Sequence, residues 1–263
     1  MKHKDQLNRI LELKEIPKRI VSLVPSQTEL LVDLGLEFSI VGITKFCIHP
    51  SSLRNKKAVV GGTKQVHFDK IRNLSPDIIL CNKEENTKEM ILELEKIAPV
   101  HLSDIYNLDD ALELIDLYGA LFSVEKKAET LAENIKINNL DFRLYKENQP
   151  ELKVAYFIWK NPWMVAAKDT FIDDMLSVNG FKNYFGDLER YPEVNLNSIT
   201  EELNVILLSS EPYPFKSTHI EELRVQFPNT KIILVDGEFF SWYGSRLEHA
   251  FDYFKILRQE LLE

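Results

Sequence analysis

The 263-residue chain has only two cysteines, no apolar run long enough to span a bilayer and no basic stripe. Cys47 and Cys81 fall in separate strand-end contexts and need not pair, which suits a reducing compartment. The amino terminus, Met1-Lys-His-Lys-Asp-Gln-Leu-Asn-Arg-Ile10, carries charges where a signal peptide needs its apolar core. The expectation is therefore a cytoplasmic protein, periplasmic or a lipoprotein only if a leader was removed ahead of Met1. No segment is suited to membrane insertion. The formal charge of -9, spread along the whole length, argues against nucleic acid or an anionic membrane as the main partner. Gly-x-Ser-x-Gly, zinc-ribbon spacing and a dinucleotide fingerprint are missing, and Gly61-Gly62-Thr63-Lys64 lacks the spacing of a phosphate loop. With no nucleophile, base and orienter placed together, an enzyme is not expected.

What the chain does have is enough apolar content, 44%, to bury a large core over two lobes. Short apolar runs at 19–24, 39–44, 58–61, 77–81 and 99–103 alternate with helical or loop segments, the rhythm of a parallel sheet. The rhythm resumes with strands at 153–159, 205–209 and 231–235, and a helix from Asp173 to Val178 ended by Asn179-Gly180. Within Arg19-Ile-Val-Ser-Leu-Val-Pro-Ser-Gln-Thr-Glu-Leu-Leu31, Pro25 stops the first strand. Ser26 and Glu29 have capping-box spacing, so a helix is expected with its N-terminus aimed off the strand's carboxyl edge, where open α/β sheets bind ligands. Capping alone is the alternative role of this pair.

Residues 124–147 contain no Gly or Pro and space Val124, Ala128, Leu131, Ile135, Phe142 and Tyr145 by threes, fours and sevens, which predicts one amphipathic helix. At 1.5 Å per residue it is roughly 36 Å long. The expected architecture is α/β: two Rossmann-like lobes, 1–121 and 149–263, joined by a single long backbone helix, 122–148, that limits closure to small motions.

Taken together, Arg19-Ile-Val-Ser-Leu-x-Pro-Ser-x-Thr-Glu29, Val41-Gly42, Val60-Gly-Gly62, Leu74-Ser-Pro-Asp-Ile-Ile79 and the single long helix resemble the helical-backbone (class III) substrate-binding proteins. These deliver cobalamin, iron–siderophores, haem or metal ions to ABC importers, and the resemblance, over residues 17–258, is greatest to the cobalamin-binding branch. It implies a binding protein holding a cobalamin-like corrinoid or another metal chelate in the interlobe cleft. Family members that dock on a transporter usually show a glutamate on each lobe. Here Asp69 and Asn197 hold those places, which with the missing leader argues against importer docking and for a cytoplasmic relative that holds or hands on its ligand.

The site is expected where strand ends meet. The candidate ligand-binding residues are Ser26, Lys45, Phe46, Gly62, Thr63, Glu85, Trp159, Trp163, Glu211, Tyr213, Trp242, Tyr243 and Arg246. Aromatics at strand ends suit a broad planar ligand; the alternative for Trp159, Trp163 and Trp242 is packing between lobes. Arg246 has two readings, a fork onto a ligand carboxylate or phosphate and a salt bridge to Glu238 or Glu211. Cys47 and His49 share a loop and are the candidate metal ligands, against a buried thiol and a hydrogen-bonded imidazole. His67, His101, His219 and His249 rank below them. The rival functions are a metal chelatase or corrinoid-modifying enzyme and a metal-ion binder using Cys47 and His49.

Overall fold

Short β-branched runs bounded by turn residues become strands because the pleated backbone seats their branched side chains against covering helices. In the computed structural model, which describes residues 1–199 and 203–263, the elements in chain order are as follows. A hairpin of β1 (Lys2–Lys4) and β2 (Ile10–Glu12) precedes β3 (Ile20–Ser22), α1 (Pro25–Asp33), β4 (Ile40–Ile43), α2 (Leu53–Lys56), β5 (Ala58–Val59) and α3 (Phe68–Asn73). Then come β6 (Ile78–Asn82), α4 (Lys88–Leu94), β7 (Val100–Ser103), α5 (Leu108–Phe122) and α6 (Glu125–Lys146). The remainder is β8 (Leu152–Trp159), β9 (Met164–Val165), α7 (Phe171–Val178), β10 (Phe181–Asn183), β11 (Val205–Ser209), α8 (Ser217–Gln226), β12 (Lys231–Val235), α9 (Glu238–Ser241) and α10 (Leu247–Leu262). No helix among the described residues is long and apolar enough to cross a membrane.

The chain divides into two units, the first of Met1–Ile105, Asp109–Ile135 and Tyr243–Glu248, the second of Tyr106–Leu108, Lys136–Trp242 and His249–Glu263. In the first, a parallel sheet runs in the order β5-β4-β3-β6-β7. The order reverses between β3 and β6, so their carboxyl ends flank a topological switch point, the usual ligand position in such sheets. Val21, Leu23, Ile79, Cys81, Leu94 and Val100 are in its core. In the second unit β10, β8, β11 and β12 are parallel neighbours and β9 runs antiparallel on β8, with the switch between β8 and β11. Its core includes Ala155, Phe157, Ile206, Leu208 and Phe215.

The strand ranges read from the sequence match to within a few residues. The run at 58–61 shortens to Ala58–Val59 because Gly61 has φ +136 and a Cβ there would lie 2.5 Å from Gln65 O, a turn that only glycine makes. Helix α7 ends as expected, with Asn179 at its C-cap and Gly180 at φ +69. Within α6 the expected face is buried at Ala128, Leu131, Ile135 and Phe142, while Ile137, Leu140 and Leu144 are exposed.

The capping-box expectation needs correction. Pro25 is the first residue of α1, the favoured helical place for a proline because its missing N–H would be unbonded there anyway. The N-cap is Val24, extended at φ -130 and ψ 121, and no side chain caps. Ser26 is buried inside the first turn and Glu29 is committed to Arg246.

The amino-terminal hairpin is folded onto the first unit by one buried carboxylate. Asp5 Oδ1 accepts from the backbone of Leu7 and Arg9, and Oδ2 accepts from Arg9 Nε at 2.7 Å and from Leu102 N at 3.3 Å. Arg9 also donates to Glu95 and to Val100 O. The free edge of β7 is thereby covered, which protects it from pairing with another chain. His101, on the same strand, is buried with neither ring nitrogen hydrogen-bonded. It meets Tyr118 edge-on at 5.3 Å.

Candidate functional site

At the switch point of the first unit, two asparagines set the loop geometry. Asn82, the last residue of β6, accepts from the backbone of Glu84 and Glu85 and donates to Ser103 Oγ at 3.0 Å. Asn86 accepts from Asn82 N at 2.8 Å and donates to Thr63 O at 2.8 Å. Both are buried, so the loops after β5 and β6 are tied together and Glu85 and Thr63 are held in place. From this loop the sequence reading singled out Glu85 and gave the two asparagines no role of their own; the signal was an Asn-x-x-x-Asn pair at a strand end, where Asn side chains fold back on nearby backbone.

Below them Gln27 donates to Ser103 Oγ at 2.6 Å and to Tyr243 Oη at 3.2 Å, and accepts from Tyr118 Oη at 2.6 Å. Tyr243 is buried here, and burial pushes its phenol well above the ordinary range. The expected ligand contact at Tyr243 is thus corrected: its hydroxyl is engaged by the core. Arg246 has a partner that neither expectation named, Glu29. Nε donates to Glu29 Oε2 at 3.0 Å and Nη2 to Oε1 at 2.7 Å. Burial raises the Glu29 carboxyl, opposed by the Arg246 charge and hydrogen bonds.

Four expected residues do come together. Lys45, Phe46, Gly62 and Thr63 line one cavity of about 890 Å³ with Val66, Phe68 and the α4 residues Glu89, Met90 and Glu93. Phe46 is half exposed and the Lys45 ammonium lies 4.9 Å from its ring. That size suits a small-molecule ligand.

Cys47 is not placed as a metal ligand. It is fully buried, with Sγ 3.1 Å from Thr28 Oγ1 and 3.3 Å from Thr44 Oγ1, and burial raises its thiol. A metal would have to enter the core and displace both hydroxyls. His49 is half-buried, and among the described residues no group of three or more His, Cys, Asp or Glu could hold a metal ion.

In the second unit the loops after β8 and β11 carry an aromatic cluster. Trp159 meets Tyr213 edge-on at 5.5 Å and is 40% exposed, the largest open aromatic surface of the group. Trp163 is half-buried. It stacks on Phe215 at 5.9 Å, lies edge-on to Phe157, and has the Lys160 ammonium 5.4 Å from its ring. Lys160 is also paired with Glu222. Trp242 differs from expectation: it is buried, and its indole donates to Glu211 Oε1 at 2.9 Å. Ser241 Oγ donates to the same oxygen at 2.6 Å. Burial raises the Glu211 carboxyl, the Ser241 bond opposes it, and the Glu238 charge adds to it. Trp242 and Glu211 therefore satisfy each other, which leaves Trp159, Trp163 and Tyr213 as the accessible aromatic set.

Two sheets of mainly parallel strands, each with loops gathered at a switch point, define an α/β architecture of the kind that binds ligands at such loops. Residues 20–224 match the family model described as periplasmic binding protein, and the chain belongs to that family. It is 29% identical over 191 residues to an uncharacterized ABC transporter substrate-binding lipoprotein, YvrC, of Bacillus subtilis (strain 168), covering 70% of this chain and 60% of that one. The chain thus spans about 60% of the length of that relative. A vitamin B12-binding protein of Vibrio cholerae serotype O1 is 26% identical over 200 residues, 74% of this chain and 71% of its own. Among solved structures, a possible iron-binding (periplasmic solute-binding) protein from Staphylococcus epidermidis superposes with a TM-score of 0.79 at 25% identity, covering 95% of this chain and all of that one. The apo haem-binding protein RhuT from Roseiflexus sp. RS-1 gives 0.78 at 17% identity, with 94% and 99% covered, a likeness of fold alone. These relatives are substrate-binding proteins, not enzymes. Where their descriptions give a location it is periplasmic or a lipoprotein, so the expectation of a cytoplasmic protein finds no support.

Proposed function

We propose that this chain is the substrate-binding component of an ABC importer for a metal chelate, a cobalamin-like corrinoid first and a haem or ferric chelate next, and that it works outside the cytosol. The observation that carries the reading is the half-exposed indole of Trp159, set among Tyr213, Trp163 and Phe215 at the switch-point edge of the second sheet. A planar chelate gains large apolar contact on such a surface at small cost in rotamer entropy. The first unit has, by itself, the cavity at Lys45, Phe46, Gly62 and Thr63, of a size that suits a small molecule. Of the two expected docking positions, Asp69 keeps a carboxylate, its side chain 92% exposed and paired with Arg72 at 2.7 Å, whereas Asn197 is neutral. The reading as a metal-ion binder loses its motive with Cys47 in the core.

Titration of the intrinsic tryptophan emission with cyanocobalamin, haemin and a ferric siderophore tests the proposal. Saturable quenching by at least one is expected, and Trp159→Ala should weaken that ligand by about 2 kcal/mol, roughly thirtyfold. No binding by any of the three, or an unchanged affinity in Trp159→Ala, would overturn it.

A further inference from the structure

We propose that Tyr213 recognises an acceptor oxygen on the rim of the bound chelate and that His219 is the positioning residue that aims its hydroxyl. The proposal rests on the chelate-binding reading above. Its origin is the tautomer of His219. The backbone N–H of Lys216 donates to His219 Nδ1 at 2.9 Å across the first turn of α8. A ring nitrogen that accepts carries no proton, so the neutral imidazole holds its proton on Nε2. Nε2 lies 3.4 Å from Tyr213 Oη. Donation therefore runs from His219 to Tyr213, and the phenolic proton is turned away from the imidazole.

Among the described residues no protein group accepts that proton. The ring itself is fixed. It is edge-on to Trp159 at 5.5 Å, tilted against the buried Phe215 at 4.7 Å and edge-on to His219 at 5.6 Å, and Tyr213 N donates to Ile158 O at 3.3 Å. A half-buried hydroxyl with a set direction and an unused proton, one ring contact from an exposed indole, is built to meet a polar atom of whatever lies on that indole. The ligand must therefore carry acceptors at its edge. Carboxamides of a corrinoid and carboxylates of a porphyrin share this chemistry; a rim bearing only N–H donors does not, and would face a second donor.

The test is a set of affinities by fluorescence titration on the full chain with cyanocobalamin as the carboxamide probe and haemin as the carboxylate probe. Tyr213→Phe, which keeps the ring, should weaken the probe that the parent binds about tenfold. His219→Asn keeps an acceptor for Lys216 N–H and removes the donor to Tyr213, and should lose a similar factor. The double variant should be no weaker than Tyr213→Phe alone, because His219 acts through Tyr213. If His219→Asn proves poorly folded, His219→Gln, which restores a donor near the Nε2 position, should return most of the affinity. Parent binding with Tyr213→Phe unchanged, or losses that simply add, would overturn this inference alone. Parent protein that binds neither probe would overturn this inference, and the chelate reading falls with it only if the ferric siderophore also fails to bind.

Discussion

Arg246→Ala should destabilise the chain by about 3 kcal/mol at neutral pH and by far less in mild acid. Glu29 and Arg246 face each other through two hydrogen bonds of 3.0 and 2.7 Å, with side-chain exposures of 16% and 12%. Removing one partner of a buried pair costs roughly 3 to 5 kcal/mol, mostly through the charge left behind, and the residual exposure here argues for the lower end. Burial already lifts the Glu29 carboxyl above its ordinary 4.5, and the charge and bonds of Arg246 are the main influences holding it down. Without Arg246 it rises further. A carboxyl raised on folding makes the native state take up a proton above the unfolded value, so stability grows as pH falls through the raised pKa toward 4.5. The penalty should fade over that window. Glu29→Gln takes the other charge from the same buried pair, so it should cost a similar amount, about 3 kcal/mol, but without the pH dependence, because no carboxyl remains at position 29. Urea unfolding followed by tryptophan fluorescence across the pH range measures all three proteins. A penalty for Arg246→Ala below about 1 kcal/mol, or one independent of pH, would refute the buried-pair argument. Chelate affinity lost at unchanged stability would make Arg246 a ligand group after all.

His101, whose pKa is pushed down to about 4 by burial with the Asp5 charge opposing, should be a main source of acid instability. A histidine lowered on folding takes up its proton in the unfolded chain first, so stability is lost as pH falls from about 6.5 to about 4, by roughly 3 kcal/mol in all. His101→Phe should flatten that part of the curve, and an unaltered slope would remove His101 from the account. Burial raises both cysteine thiols, and neither side chain is accessible. A thiol reagent should therefore modify neither Cys47 nor Cys81 in the native protein and both in denaturant, and rapid native reaction at Cys47 would reopen the question of a metal at that loop.

Strands and long helices were legible because they depend on periodicity, which the chain carries locally: Ile78 to Asn82 and Glu125 to Lys146 fall close to where alternation and spacing put them. The β1–β2 hairpin and the short β9 and β10 were not, since strands of two or three residues leave no period to read and the hairpin is fixed by Asp5 and Arg9 reaching β7. The same division runs through the site. A strand-end position places Trp159, Tyr213, Trp242 and Tyr243 near a binding edge, but whether an aromatic faces ligand or core is decided by partners remote in the chain. Glu211 draws Trp242 inward across 31 residues, and Gln27 holds Tyr243 across 216. Ser26 and Glu29 had the spacing of a cap, yet a proline at the first helical position made the cap dispensable and released Glu29 for Arg246, 217 residues away. Exposure of an amphipathic ring is thus a tertiary property even where its position is a local one. On the chelate-binding proposal, Trp159 and the hydroxyl of Tyr213 are the groups whose open surface and unspent proton a ligand would use.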